Sequence, residues 1–280
     1  MKVLVTGVKG QLGFDCIIEL KKKGHCPIGI DRDELDLTQE EEVYSFIRSI
    51  KPNCIIHCAA YTAVDKAEED SDSCCKVNVE ATKYLVNVSK ELDIKLLYIS
   101  TDYVFDGLKT GEYEINDLPN PKSVYGNTKY LGEGEAKKTD KHFIVRISWV
   151  FGINGNNFIK TMLRLSETRN ELNVVSDQIG SPTYTKDLSA LLVEMIESEK
   201  YGTYHVTNEG YCGWNDFARY IFLRANKDVE VNDILTKDYP TKAIRPQNSK
   251  LSKKSLDENG FKRLPSWEDA VDRYLEELKL

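Results

Sequence analysis

Lys2-Val-Leu-Val-Thr6-Gly7-Val-Lys-Gly10-Gln-Leu-Gly13, at the start of the chain, decides the fold. Lys2 to Thr6 is a short apolar, β-branched run, which predicts a buried strand. Gly7, Gly10 and Gly13 follow at once. From Phe14 to Leu20 the apolar residues recur at helical spacing, with Gly24 as the stop. A strand, a glycine turn and a helix N-terminus in that order make a site for a dinucleotide pyrophosphate. Free N–H groups and the helix dipole favour the anion, and glycines let the backbone come close to it. Gly7, Gly10, Gln11, Leu12 and Gly13 are the candidate contacts. The spacing is Gly-x-x-Gly-x-x-Gly rather than the commoner Gly-x-Gly-x-x-Gly. A second strand, Pro27 to Asp31, ends in an acid about eighteen residues after Gly13, where a ribose-binding carboxylate belongs. Arg32 follows it and can pair with a 2′-phosphate, whereas Asp31 favours the free ribose. Use of both NADH and NADPH is therefore expected.

Two later stretches point to the same sheet edge. Lys95-Leu-Leu-Tyr-Ile-Ser100-Thr101-Asp102 reads as a buried strand whose end presents hydroxyls and a carboxylate. Open parallel sheets bind ligands at that edge. Ser123-Val-Tyr-Gly-Asn-Thr-Lys-Tyr130 places Tyr125 and Lys129 four residues apart, on one face of a helix. A phenol titrates near ~10. Lys129 is expected to lower that value by favouring the phenolate, giving a proton donor or acceptor at neutral pH. Thr101 can hydrogen-bond a substrate carbonyl beside Tyr125. Alone, the pair fits a solvated helix face and Thr101-Asp102 a polar strand end. With the N-terminal turn they make an active site.

Strands and helices alternate through the first half. Thr38-Gln-Glu-Glu41 reads as a capping box opening a helix to Ile50. Cys54 to Cys58 reads as a strand, about Ser73 to Leu92 as a helix, and His142 to Arg146 as a strand after the Tyr125 helix. Repeated strand–helix units predict an α/β fold, a Rossmann-type doubly wound parallel sheet. After about Trp149 the alternation weakens. Residues 1–150 are assigned to the dinucleotide-binding domain, and 151–280 mainly to a smaller C-terminal substrate-binding lobe.

At 280 residues, with 41% hydrophobic and 30% charged side chains, the chain has the composition of a soluble globular protein. It lacks an apolar run long enough to span a membrane. A strand beginning at Lys2 leaves no room for a signal peptide, so a cytoplasmic protein is expected. A net charge of −7 argues against nucleic acid as a partner. Seven cysteines, an odd number, suit a reducing compartment. Cys54, His57 and Cys58 invite a metal reading, but residues of a strand alternate in direction, so no metal is assigned there.

These residues together resemble the extended short-chain dehydrogenase/reductase family. Within it they are most similar to the branch that reduces the C4 ketone of a dTDP-6-deoxy-4-keto sugar. The resemblance rests on Gly7-x-x-Gly10-Gln-Leu-Gly13, Cys58-Ala-Ala-Tyr-Thr-Ala-Val-Asp65, Ser100-Thr-Asp-Tyr-Val-Phe-Asp-Gly107 and Tyr125-Gly-x-x-Lys129. It continues with Ser148-Trp-Val150, Gly155-Asn-Asn-Phe158, Asp177-Gln-x-Gly-x-Pro-Thr183 and Arg245-Pro-x-Asn-Ser249. It implies that Tyr125 donates a proton to the developing alkoxide and that Lys129 holds the nicotinamide ribose. Thr101 stands where the wider superfamily has serine. Asp36-Leu37 and Ala59-Ala60-Tyr61-Thr62 match positions that frame adenine and ribose. Asp102 would orient a sugar hydroxyl and Trp149 would pack on the sugar. Asn157, Gln178, Arg245 and Asn248 are candidates for the nucleotide end, Arg245 because a guanidinium suits a diphosphate. The resemblance also implies a second lobe closing over the dTDP-sugar, with the chain re-entering the main sheet around residues 185–206. Some relatives are homodimers bridged by Mg2+ held by glutamates, and Asp15 occupies one matching position. Two alternatives stay open. One is a related nucleotide-sugar epimerase or reductase. The other is a non-catalytic, NAD(P)-binding regulatory subunit like that of methionine adenosyltransferase. Dehydratases of the family carry glutamate where this chain has Tyr103.

Overall fold

The computed structural model describes residues 1–279. The first half runs β1 (Lys2–Thr6), α1 (Gln11–Lys22), β2 (Cys26–Ile30), α2 (Glu40–Ile50), β3 (Cys54–His57), α3 (Val64–Ala67), α4 (Ser71–Cys75), a π-helical turn (Lys76–Glu80), α5 (Ala81–Glu91), β4 (Lys95–Thr101), α6 (Val124–Ala136) and β5 (His142–Ile147). The second half runs β6 (Val150–Phe151), α7 (Phe158–Ser166), β7 (Glu171–Val175), β8 (Ile179–Gly180), β9 (Thr183–Tyr184), α8 (Thr185–Glu197), β10 (Gly202–His205), β11 (Cys212–Gly213), α9 (Trp214–Arg224), β12 (Glu230–Ile234), α10 (Lys254–Glu258) and α11 (Trp267–Glu277).

Among the described residues, six strands form the main sheet in the order β2-β1-β3-β4-β5-β10, every neighbouring pair parallel. Its strands read as unbroken apolar runs because both faces are covered. Val3, Val5, Cys54, Ile56, Leu97, Ile99, Phe143 and Val145 pack on one face with residues of α1 and α8. Leu4, Ile55, Leu96, Tyr98 and Ile144 pack on the other with residues of α2 and α5. The strand order reverses beside β1, which opens a crevice at the C-terminal edge there. A second apolar cluster joins β7, β12, α7, α9 and α11 and stands over that edge.

The Thr38 capping box does not form. Thr38 donates both its backbone N–H (3.0 Å) and its hydroxyl (2.7 Å) to Asp36 Oδ1, so its side chain is not free to cap. The helix opens at Glu40, and Glu40, Glu41 and Glu42 in its first turn meet the dipole instead. The helix expected from Ser73 to Leu92 is interrupted by the π-helical turn. Asn78 in that turn accepts from Tyr61 N–H (2.8 Å) and donates to the Tyr61 carbonyl (3.2 Å), fixing the loop after β3.

His57 points away from the Cys54 side of β3, toward Thr6 Oγ1 (2.8 Å) and Thr82 Oγ1 (3.3 Å). Among the described residues no group of three or more His, Cys, Asp or Glu side chains is arranged to hold a metal ion. The magnesium expectation finds no support for the same reason, and the buried Asp15 carboxylate accepts instead from Thr185 Oγ1 at 2.5 Å. Among the described residues no helix is long and apolar enough to cross a membrane.

Candidate active site

A cleft of about 1930 Å³ runs along the C-terminal edge of the sheet, and its lining includes Asp31 and Arg32 as well as Arg169 and Asn173. Gly7, Gly10, Gln11, Leu12 and Gly13 line it, with Asp36, Leu37 and Ala59, Ala60, Tyr61 and Thr62. Gly7 lies in the left-handed region at φ 72°. A Cβ on Gly13 would stand 2.3 Å from the Gly7 carbonyl oxygen, so this turn closes only on glycine. Gly10 is the residue before α1, and the first-turn N–H groups of that helix have no partner within it. The cradle therefore fits a pyrophosphate. Gln11 also anchors the turn to the second half of the chain, its Oε1 accepting from Gly152 N–H (2.9 Å). Asp31 Oδ2 accepts from Lys9 N–H (3.0 Å) and Oδ1 from Arg32 N–H (2.8 Å), while the Arg32 side chain is 85% exposed.

Thr101, Tyr125 and Lys129 line the same cleft. Ser123 caps α6 by accepting from Gly126 N–H (3.1 Å). A Cβ on Gly126 would stand 2.2 Å from the Tyr103 carbonyl oxygen, so this glycine lets the helix bring Tyr125 against the end of β4. There Tyr125 and Thr101 line the cleft together. The expected lowering of the Tyr125 pKa is not seen. Burial pushes the phenol upward, and the charges of Asp102 and Tyr103 push the same way. Lys129 is 2% exposed and its ammonium rests over the Tyr98 ring, 4.0 Å from the centroid. Burial lowers it to about 7. Asp102 accepts from Thr101 Oγ1 (2.9 Å) and from Ser249 Oγ (2.5 Å), and burial raises it to about 6.

On the other wall Trp149 adopts φ 49°, unusual for so large a residue. Its ring stacks on Trp214, with centroids 3.7 Å apart and planes at 15°. Both rings line the cleft, as do Gln178 and Arg245. Arg245 Nη2 donates to Asp65 Oδ2 (2.6 Å) and Nη1 to the Tyr103 hydroxyl (3.2 Å). The Tyr103 ring meets that of Tyr125 edge-on at 5.5 Å. Two sequence candidates do not line the cleft. Asn157 caps α7 and donates to Gln11 Oε1 (3.0 Å), the Gly152 carbonyl (3.0 Å) and the Tyr274 hydroxyl (3.0 Å), so its side chain is spent on packing. Asn248 donates to the carbonyls of Lys109 (2.6 Å) and Gly111 (2.7 Å), lashing down a loop outside the cleft. Trp214 and Ser249 join the cleft without having been candidates, and Tyr103, noted only as the position where dehydratases carry glutamate, joins it too. Tyr103 and Ser249 lie inside motifs already noted, whereas nothing local marks Trp214.

The family described as the RmlD substrate binding domain matches residues 1–280. The chain is 43% identical to a dTDP-4-dehydrorhamnose reductase of Aggregatibacter actinomycetemcomitans, covering 96% of this chain and 97% of that protein. It is 39% identical to the spore coat polysaccharide biosynthesis protein SpsK of Bacillus subtilis, over 99% of this chain and 97% of that one. Its fold is similar to a crystal structure of a dTDP-4-dehydrorhamnose reductase from Bacillus anthracis in complex with NADP, with TM-score 0.96, 42% identity and 99% of each chain covered. A Clostridium acetobutylicum dTDP-4-dehydrorhamnose reductase superposes with TM-score 0.98 at 40% identity over 100% of both chains.

Proposed function

The chain belongs to the RmlD substrate binding domain family, and from that premise we propose that it reduces the C4 ketone of dTDP-4-dehydrorhamnose to give dTDP-rhamnose. It is an oxidoreductase that uses a nicotinamide dinucleotide. The observation that carries the reading is the meeting of Thr101, Tyr125 and Lys129 in the cleft that also holds the glycine turn. When bound, the nicotinamide supplies the hydride. The chain's own residues supply the proton and the positioning. Gly7, Gly10 and the N–H groups of Gln11, Leu12 and Gly13 would hold the pyrophosphate, with Asp31, Arg32, Asp36, Leu37 and Ala59 to Thr62 around the adenosine. The Tyr125 phenol, kept protonated by burial, gives its proton to the oxygen developing at C4. Thr101 hydrogen-bonds that oxygen. The Lys129 ammonium offsets the phenolate left behind. Free cysteines throughout support a cytoplasmic setting.

The test is cofactor absorbance on adding a panel of 4-keto sugar nucleotides. Oxidation of the reduced cofactor with the dTDP-6-deoxy-4-keto sugar is expected. Product formation with no net cofactor consumption would reassign the chain to an epimerase or dehydratase.

Arg245 is proposed to hold the substrate diphosphate, since Asp65 and Tyr103 fix its guanidinium while leaving N–H groups unused. Arg245→Ala is expected to raise KM for the sugar nucleotide more than it lowers kcat, because a contact remote from the ketone is lost equally from ground and transition states. An unchanged KM would assign the diphosphate to other groups.

Dual use of NADH and NADPH is proposed at the Asp31–Arg32 corner. A charged hydrogen bond from Arg32 to a 2′-phosphate is worth roughly 1.5–3 kcal/mol, comparable with the Asp31 repulsion. A preference below about a hundredfold in kcat/KM follows. Arg32→Ala should weaken NADPH selectively and Asp31→Ala NADH selectively. Equal losses for both cofactors in either variant would show that the 2′ position is read elsewhere.

A further inference from the structure

Behind Tyr125 and Lys129 lies a set of buried charges that the reduction described above does not use. Glu133 is fully buried on α6, one turn beyond Lys129, so Tyr125, Lys129 and Glu133 share one helix face. Glu133 Oε1 accepts from Ser100 Oγ (2.6 Å) and Arg146 Nε (2.8 Å), and Oε2 accepts from Arg146 Nη2 (2.7 Å). Ser100 immediately precedes Thr101 at the end of β4, and Arg146 of β5 pairs with it in register. One carboxylate thus ties the helix that carries the phenol and the ammonium to the strand end that carries the hydroxyl.

Arg146 is equally enclosed. Its Nη1 donates to the Ile115 carbonyl (3.3 Å) and lies 3.2 Å from His205 Nε2, and its guanidinium stands 5.0 Å from the Phe105 ring centre. A buried ion pair of this kind gains little over well-packed apolar residues of similar volume. Stability is therefore a poor reason for its presence directly behind a proton-transfer site.

The groups that face Lys129 are Glu133 and Tyr125 from α6, Tyr98 from β4, His57 at the end of β3, Cys58 just after it, and Cys74 from α4. Burial holds His57 neutral, lowered to about 3. Glu133 is the carboxylate of the set. Its charge favours the ammonium against burial, which opposes it.

We propose that Glu133 is the positioning residue of the proton-delivering pair: it fixes Tyr125 against Thr101 and supplies the negative charge that faces the Lys129 ammonium from within α6. The proposal rests on the reading of Tyr125 and Lys129 given above.

The test is kcat and kcat/KM for ketone reduction against pH, with cofactor Kd and thermal midpoint alongside. The double variant Glu133→Gln/Arg146→Met removes both charges at once and so avoids a lone buried ion, the destabilising case. Its cofactor Kd should stay within about threefold of the wild type, while kcat falls at least about tenfold through misplacement of the phenol. In that variant the alkaline limb of kcat/KM, where Lys129 loses its proton, should stay near its wild-type position, because the pair removed carries no net charge; in Glu133→Gln alone, where the Arg146 charge remains, the limb should move to lower pH. The sign follows from charge: with Glu133 neutral and Arg146 still positive, the ammonium releases its proton earlier, and activity that needs it charged is lost earlier.

Ser100→Ala keeps both charges. It should lower kcat a few-fold and leave the alkaline limb where it is. An unmoved limb in Glu133→Gln overturns the proposal whether or not kcat falls, since misfit alone would lower kcat. A Ser100→Ala enzyme with wild-type kcat also overturns it, and this variant decides the matter if the double variant does not fold. Tyr125→Phe is measured in parallel. Full turnover there removes the underlying reading. Loss there, with no change in the Glu133/Arg146 variant, removes the positioning role alone.

Discussion

Tyr125→Phe is expected to lower kcat for ketone reduction by roughly 10²–10⁴, the usual worth of a positioned general acid. Burial holds the Tyr125 phenol above its ordinary value, so at neutral pH the side chain is a proton donor and not a phenolate. The difficulty lies in the charge left behind, because a phenolate in this low-dielectric corner is costly. Thr101 and the Lys129 ammonium line the same cleft and can offset it. The phenylalanine ring keeps the edge-on contact with Tyr103, so cofactor affinity should change little. Loss in kcat with cofactor Kd preserved is the signature of an interaction made in the transition state. Near wild-type turnover would remove Tyr125 from the mechanism.

Gly13→Ala should also be damaging, through cofactor binding instead of proton transfer. The added Cβ would meet the Gly7 carbonyl oxygen at 2.3 Å and the Val8 Cα at 3.0 Å, and both obstacles are backbone. No rotamer relieves such a contact, so the turn itself must shift. Overpacking of this kind costs roughly 1–3 kcal/mol. If the same displacement is imposed on the N–H groups that receive the pyrophosphate, Kd for NADPH should rise roughly tenfold to a hundredfold, each 1.4 kcal/mol being tenfold. Fluorescence titration of the reduced cofactor measures it directly. An unchanged Kd would place the pyrophosphate away from this turn.

The sheet was legible in the sequence because its strands are covered on both faces. A strand such as Lys95 to Thr101 then appears as one apolar run ending in polar residues. Helix ends were harder. Thr38 carried every local mark of a cap, yet its hydroxyl went to Asp36, two residues back. The helix after β3 reads as continuous, and its π-helical turn has no signature in the apolar spacing. The pairing of β7 with β12 joins residues far apart in the chain, so no local pattern announces it.

The sequence by itself determined the chemistry that rests on short spacing. Strand, glycine turn and helix are consecutive, and Tyr125 and Lys129 are one helical turn apart, so backbone geometry alone brings each set together. Tertiary structure decided what each polar side chain is spent on. Asn157 and Asn248 matched family motifs as well as Arg245 did, but both asparagines are consumed by packing while the arginine reaches the cleft. It decided that Lys129 rests on Tyr98, that Trp149 stacks on Trp214, and that Glu133 meets Ser100 and Arg146. The physical reason is the same throughout. A buried polar group must find a partner, and which partner it finds depends on elements that only the folded chain brings within hydrogen-bond reach, as with Asn157 and Gln11, 146 residues apart.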